Sequence, residues 1–221
     1  MQKKHIIIMS SIIGAICIVG IFLICFFSIP RITYGYDHEA RTYYVDKVYG
    51  NAKRYTIKDS IKDKPVTKIR SRAFMNKSNL KEIILSENLE EIERLAFLNC
   101  KRLEKIDLSH VKVIGRNAFE NCTSLRSVEL TLEDILGGTF IGCTGLETVT
   151  LTNTLTIGTY AFAYTNIEEV TIPRNCYLIG VDAFYGCDSL RKVIVQSQRL
   201  SNDSYLNSLN GVEFQFNESK E

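Results

Sequence analysis

The chain has 221 residues, 45% of them hydrophobic and 24% charged, with 27 basic against 25 acidic side chains and a net charge of +2. A charge this small excludes a polybasic nucleic-acid binder, whose affinity comes from neutralising phosphates, and the apolar content excludes a mostly disordered chain. Of the three His, His5 and His38 fall in the first forty residues, so the body of the chain is starved of hydrolytic and metal chemistry.

The first element is an uncharged apolar run from Ile6 to Ile29, preceded by Lys3 and Lys4 and closed by Pro30 and Arg31. A helix rising about 1.5 Å per residue would cross the roughly 30 Å hydrocarbon core over this length. Lysines before it and Asp37 and Glu39 after it put the N-terminus in the cytoplasm and the remainder outside. The alternative is a cleaved signal peptide, whose apolar region is normally about 7–15 residues. Thr33-Tyr34-Gly35 offers it a cleavage site. Either reading exports the rest of the chain. Residues 1–30 are therefore assigned to a cytoplasmic stub and signal-anchor helix, and 31–52 to a juxtamembrane linker.

Beyond residue 65, within a domain assigned to 53–195, the chain repeats. Phe74, Phe97, Phe119, Phe140, Phe162 and Phe184 mark six units of 21 to 23 residues. Five residues before each lies an isoleucine (Ile69, Ile92, Ile114, Ile135, Ile157, Ile179), and a small residue sits directly before each. After each comes a Leu or Ile and then an alternating apolar pair, as in Val128 and Leu130. Alternation of period two predicts a short strand with its apolar members turned inward. The Ala-Phe stretch predicts one helical turn ended by a left-handed residue, since Asn76, Asn99, Asn121, Gly142 or Gly186 lies two positions on. Tyr164 occupies that place in the shorter fifth unit, so its turn is expected to differ. No unit could bury its apolar edge alone, whereas stacking hides Ile, Phe and Leu in continuous ladders.

The unit from Ile114 to Leu130, I-G-R-N-A-F-E-N-C-T-S-L-R-S-V-E-L, resembles the BspA-like leucine-rich repeat of bacterial and protist surface proteins. Tyr55-Thr56-Ile57 and Lys64-Pro65-Val66-Thr67 look like that family's incomplete first coil. The resemblance implies a right-handed, curved solenoid with a parallel sheet on its concave side and short helical turns. It also implies display on the cell surface and binding of macromolecules without catalysis.

Cys100, Cys122, Cys143 and Cys187 each lie three residues after a repeat Phe. Their spacing belongs to the repeat and not to a zinc motif; buried thiols acting as small hydrophobes are expected, with disulfides the alternative. Cys176, outside that series, is the candidate for an accessible thiol. No H-E-x-x-H, G-x-S-x-G or phosphate loop occurs, His110 is the one histidine of the repeats, and neither cofactor nor metal is expected. On the strands, Lys81, Glu104, Arg126, Glu147, Glu168 and Arg191 mostly alternate in sign from coil to coil, with Glu82 beside Lys105 and Glu169 beside Lys192.

The outward strand positions form the candidate binding face: Glu82, Ile84, Lys105, Asp107, Ser127, Glu129, Thr148, Thr150, Glu169, Thr171, Lys192 and Ile194. The face is mixed in charge and lacks the aromatic rings on which sugars and single-stranded nucleic acids stack, so a protein partner fits best. Asn76, Asn121, Asn202 and Asn217 begin glycosylation sequons, which matter only in a host that glycosylates exported proteins. Residues 196–221 are polar, with a closing strand expected near Val212–Phe216, and serve as a C-terminal cap and tail. The expected function is that of a membrane-anchored extracellular interaction or adhesion module. The alternative is a structural envelope scaffold.

Overall fold

The computed structural model describes residues 29–200, 206, 209 and 212–216. Apart from its last residue, Ile29, the apolar run that begins at Ile6 lies outside the described residues. Among the described residues no helix is long and apolar enough to cross a membrane.

The described chain opens with an antiparallel hairpin, β1 (Arg31–Asp37) with β2 (Thr42–Tyr49), its register interrupted between Thr33 and Tyr34. These residues stand within the stretch expected to be a linker. They are folded because β2 also pairs in parallel with β5 (Lys64–Ile69), seating Val45 and Val48 on the apolar end of the solenoid. An incomplete coil follows: β3 (Arg54–Thr56), β4 (Ser60–Ile61) and β5.

Each later coil carries two short parallel β-segments, except that in the second coil one of them is reduced to a single bridge at Lys105. One series holds the isoleucines, running from β5 to β7 (Glu91–Ile92) and β8 (Val113–Ile114), and then from β10 (Asp134–Ile135) to β12 (Thr156–Ile157) and β14 (Leu178–Ile179). The other holds the alternating pairs. In it β3 pairs with β6 (Glu82–Ile84), β9 (Ser127–Leu130) with β11 (Thr148–Leu151), and β13 (Glu169–Ile172) with β15 (Lys192–Val195). The closing strand expected near Val212 is present as β16 (Glu213–Phe216), parallel to β15. The architecture is a parallel β-solenoid of stacked coils, its core a set of side-chain ladders parallel to the stacking axis.

The six phenylalanines are buried and stack at centroid distances of 4.9, 5.1, 5.3, 5.5 and 5.6 Å, with interplanar angles of 12° or less. The repeat Ile and Leu positions are equally buried. A further ladder lies beyond the spacings that define the repeat. Val66, Leu89, Val111, Leu132, Thr154 and Cys176, each three residues before a repeat Ile, are all buried. Cys176 is therefore not an accessible thiol, because the chain turns inward at this position in every coil. Thr154 can stand there because its hydroxyl donates to Leu132 O at 3.1 Å.

The Ala-Phe turn is not helical. A helix would keep every N–H within the coil, but here alternate groups point to the next coil. Ala73, Met75 and Lys77 N–H bond within their own turn, while Phe74 and Asn76 N–H donate to Ala96 O and Leu98 O of the following coil, both at 2.8 Å. Two left-handed residues per turn make this possible, one two positions before Phe and one two after, as in Arg72 and Asn76 at φ 62°. The turn thus adds a further hydrogen-bonded ladder. Tyr164 also adopts φ 58°, so the fifth turn matches the others, and its missing residue is absorbed after Thr165.

Four thiols fall inside the turn ladder. Cys100, Cys122, Cys143 and Cys187 are buried and unbridged, each donating to the carbonyl of the preceding coil's phenylalanine at 3.1 to 3.3 Å. In the first coil Lys77 takes the thiol's place and carries its ammonium to Gly50 O at 2.7 Å.

Candidate functional site

The strand ladder presents every second member to solvent because strand side chains alternate between faces. Val128, Leu130, Val149 and Leu151 are buried, while Ser127, Glu129, Thr148 and Thr150 between them are exposed and paired in register, Ser127 with Thr148 and Glu129 with Thr150. Glu169 lies opposite Lys192 and Thr171 opposite Ile194, the last two half-buried. Glu82 bridges to Lys105. Ten of the twelve residues of the candidate face lie in strands; Lys105 forms an isolated bridge and Asp107 lies in no strand. They do not form one continuous sheet, because the hydrogen-bonded ladder is broken between the second and third coils and again between the fourth and fifth.

The first break has a local cause. The Asp107 carboxylate accepts the Ser109 N–H at 3.0 Å, an Asx turn that draws the chain out of extended geometry at Leu108. This hydrogen bond also holds the Asp107 carboxyl below its ordinary range, with a smaller contribution from His110, so it is ionised at neutral pH. The second coil retains only the bridge at Lys105, and Leu85 and Ile106 are left half-buried where the later coils seal.

A groove of about 580 Å³ opens there. Glu82, Ile84, Lys105, Asp107, Ser127 and Glu129 line it, half of the candidate face. Ser109 and His110 line it too; strand alternation does not assign them to the face, because both fall after the strand, where periodicity carries no information. Ile84, 46% exposed, and the half-buried Leu85 and Ile106 give the groove apolar contacts amid carboxylates, one lysine, hydroxyls and His110. Such a surface binds by complementarity of shape and charge. Thr148, Thr150, Glu169, Thr171, Lys192 and Ile194 continue outside the groove on the later strands.

The alternating charges flank this face. Lys81–Glu104 and Arg126–Glu147 pair at 2.7 Å and Arg191–Glu168 at 3.3 Å, as their alternation predicts. Glu82 makes its ion pair with Arg54 at 2.5 Å, which leaves Lys105 available at the groove wall. Lys81 holds the Glu104 carboxyl below its ordinary value. Exposed pairs of this kind align neighbouring coils more than they stabilise them.

The BspA type leucine rich repeat region family matches residues 52–156 and 155–219, in six copies. The chain is similar to a leucine rich cell surface protein of Faecalibacterium prausnitzii A2-165 at 25% identity and a TM-score of 0.65. That match covers 77% of this chain and 55% of the other, so this chain spans little more than half of that relative. It is also similar in fold to a leucine rich repeat protein of T. pallidum, at 22% identity and a TM-score of 0.57, covering 74% of this chain and 68% of that one. No curated protein matched the chain.

Proposed function

The chain belongs to the BspA-type leucine-rich repeat family, and from this we propose that it is a membrane-anchored, cell-surface module that binds a protein partner through its strand face, without turnover. The observation that carries the reading is the groove at the second coil. Six candidate face residues converge on it, above the half-buried Leu85 and Ile106. Binding energy in an interface concentrates in a central minority of contacts. The similarity to a leucine rich cell surface protein supports display outside the cell. The apolar run from Ile6 to Ile29, with lysines before it, supports anchoring through the N-terminus.

Two measurements test this. Protease added to intact cells that make the protein should digest the repeats; repeats protected until lysis would refute the topology. Release of a soluble product beginning near Tyr36 would replace the anchor with a cleaved signal. For the face, Lys105, Asp107, Ser127, Glu129, Thr148 and Thr150 are replaced by alanine. The comparison is the same number of exposed turn residues, Arg72, Arg94 and Arg116 among them. Both sets should leave the fold intact, since surface changes cost about 0.5 kcal/mol or less each. Captured partner should be lost with the strand set and retained with the turn set, and the opposite outcome would move the site off the strand face.

A further inference from the structure

We propose that Tyr160, Tyr164 and Tyr185, with Asp182, form a second docking surface, on the turn ladder of the last two coils, for a cationic segment of a partner protein rich in Arg or Lys. It is independent of the strand-face groove and stands whether or not that groove binds.

The rings form a cluster. Tyr185 meets Tyr164 edge-on at 5.4 Å and Tyr160 edge-on at 6.3 Å. They are not covered by the fold: Tyr160 is 39%, Tyr164 48% and Tyr185 51% exposed, and Val181 beside them is 64% exposed. The neighbouring Asp182 carboxylate raises the pKa of the Tyr160 hydroxyl, which stays neutral.

Tyr164 is held at a backbone cost. It adopts φ 58°, where the other five coils have Asn or Gly. A left-handed conformation disfavours a bulky side chain, and such strain persists where the surroundings or a function require it. The neighbouring coil makes room as well. A Cβ on Gly186, itself at φ 66°, would come within 2.6 Å of the Tyr164 ring. Packing does not demand the ring, since an asparagine at this position serves three coils.

Charge selects the occupant. The two turns that carry the rings, residues 158–166 and 180–189, contain Asp182 and Asp188 and no Lys or Arg. Asp182 lies beside Tyr160. Tyrosine faces attract guanidinium and ammonium groups, and neighbouring carboxylates add to the attraction. Two half-buried tyrosines elsewhere are covered in this way, Tyr49 by Arg31 at 4.1 Å and Tyr44 by Arg70 at 5.1 Å. Among the described residues no such cation covers Tyr160, Tyr164 or Tyr185. Tyr and Arg are also the residues enriched at interface hot spots.

The test uses the full chain in detergent and a fluorescent peptide of alternating arginine and glycine, with the same peptide bearing glutamine for arginine as control. Tyr164→Asn installs the residue type of three other coils and should fold, as circular dichroism will verify; Tyr185→Ser and Asp182→Asn provide independent variants. The arginine peptide should bind, the glutamine peptide should not, and each variant should weaken binding about tenfold. Equal binding of both peptides, or unchanged affinity in the tyrosine variants, overturns the proposal. So does finding that the variants abolish only self-association of the chain or binding of a neutral oligosaccharide, which would assign the surface to a second copy or to a sugar.

Discussion

Phe119→Ala is expected to destabilise the repeat domain by about 3–5 kcal/mol. The ring lies between Phe97 at 5.1 Å and Phe140 at 5.3 Å, nearly parallel to both, and is fully buried. Removing it opens a cavity bordered on both sides by rings that cannot follow it, because the flanking backbone is fixed. Phe119 N–H donates to Thr139 O at 2.9 Å, and Phe97 N–H to Ala118 O at 2.8 Å. Phe184 belongs to the last of the six repeats, stacked on Phe162 at 5.6 Å, and fewer coil interfaces depend on it, so Phe184→Ala should cost less and loosen chiefly the last coil. Trp is absent, so denaturant titrations followed by circular dichroism are the suitable measurement. Equal losses at the two sites would mean that the phenylalanines do not act as a ladder.

Raising the pH should destabilise the protein strongly above about pH 9, and the buried thiols should account for much of the effect. Burial pushes the Cys100 thiol up to about 12, and burial raises Cys122 and Cys187 as well. In the unfolded chain a thiol ionises near 8.5, on the order of the free side chain. A group whose folded-state pKa is raised contributes stability in full below the unfolded value. That contribution is lost as the pH climbs toward the folded value. For Cys100 the loss across this window is on the order of 5 kcal/mol. The same burial makes these thiols slow to alkylate near neutral pH until the protein unfolds. Urea midpoints measured near neutrality and at alkaline pH should diverge for the native chain and diverge much less for Cys100→Ala. If the alanine variant keeps the full alkaline dependence, tyrosines and lysines carry it and the thiol ladder does not.

The legibility of the fold varies along one coil. Phe119, Ile114 and Leu125 are recognisable because a ladder requires the same residue type at the same place in every coil, and the repeated spacing displays that requirement directly. The ladder through Leu89, Leu132, Thr154 and Cys176 is less visible. Its members vary in chemistry, since a small hydroxyl or thiol fits as well as leucine when a carbonyl acceptor lies within reach. The outward face follows from alternation, but the groove does not. It depends on Asp107 choosing the Ser109 N–H over a strand partner, a competition between side chain and backbone that leaves the hydrophobic pattern unchanged.

By itself, then, the sequence determined the period of the coil, its inward and outward positions and the family they define, because recurrence every 21 to 23 residues is the physical condition for stacking. Tertiary structure alone decided how each coil's backbone is satisfied. The Ala-Phe stretch is locally able to form a helical turn, but carbonyls of the adjacent coil outcompete that option and leave paired left-handed residues such as Arg72 and Asn76. Likewise, nothing in residues 31–49 alone makes them a cap. They fold as a hairpin because the edge of β5 and the apolar end beneath it would otherwise stand open to water.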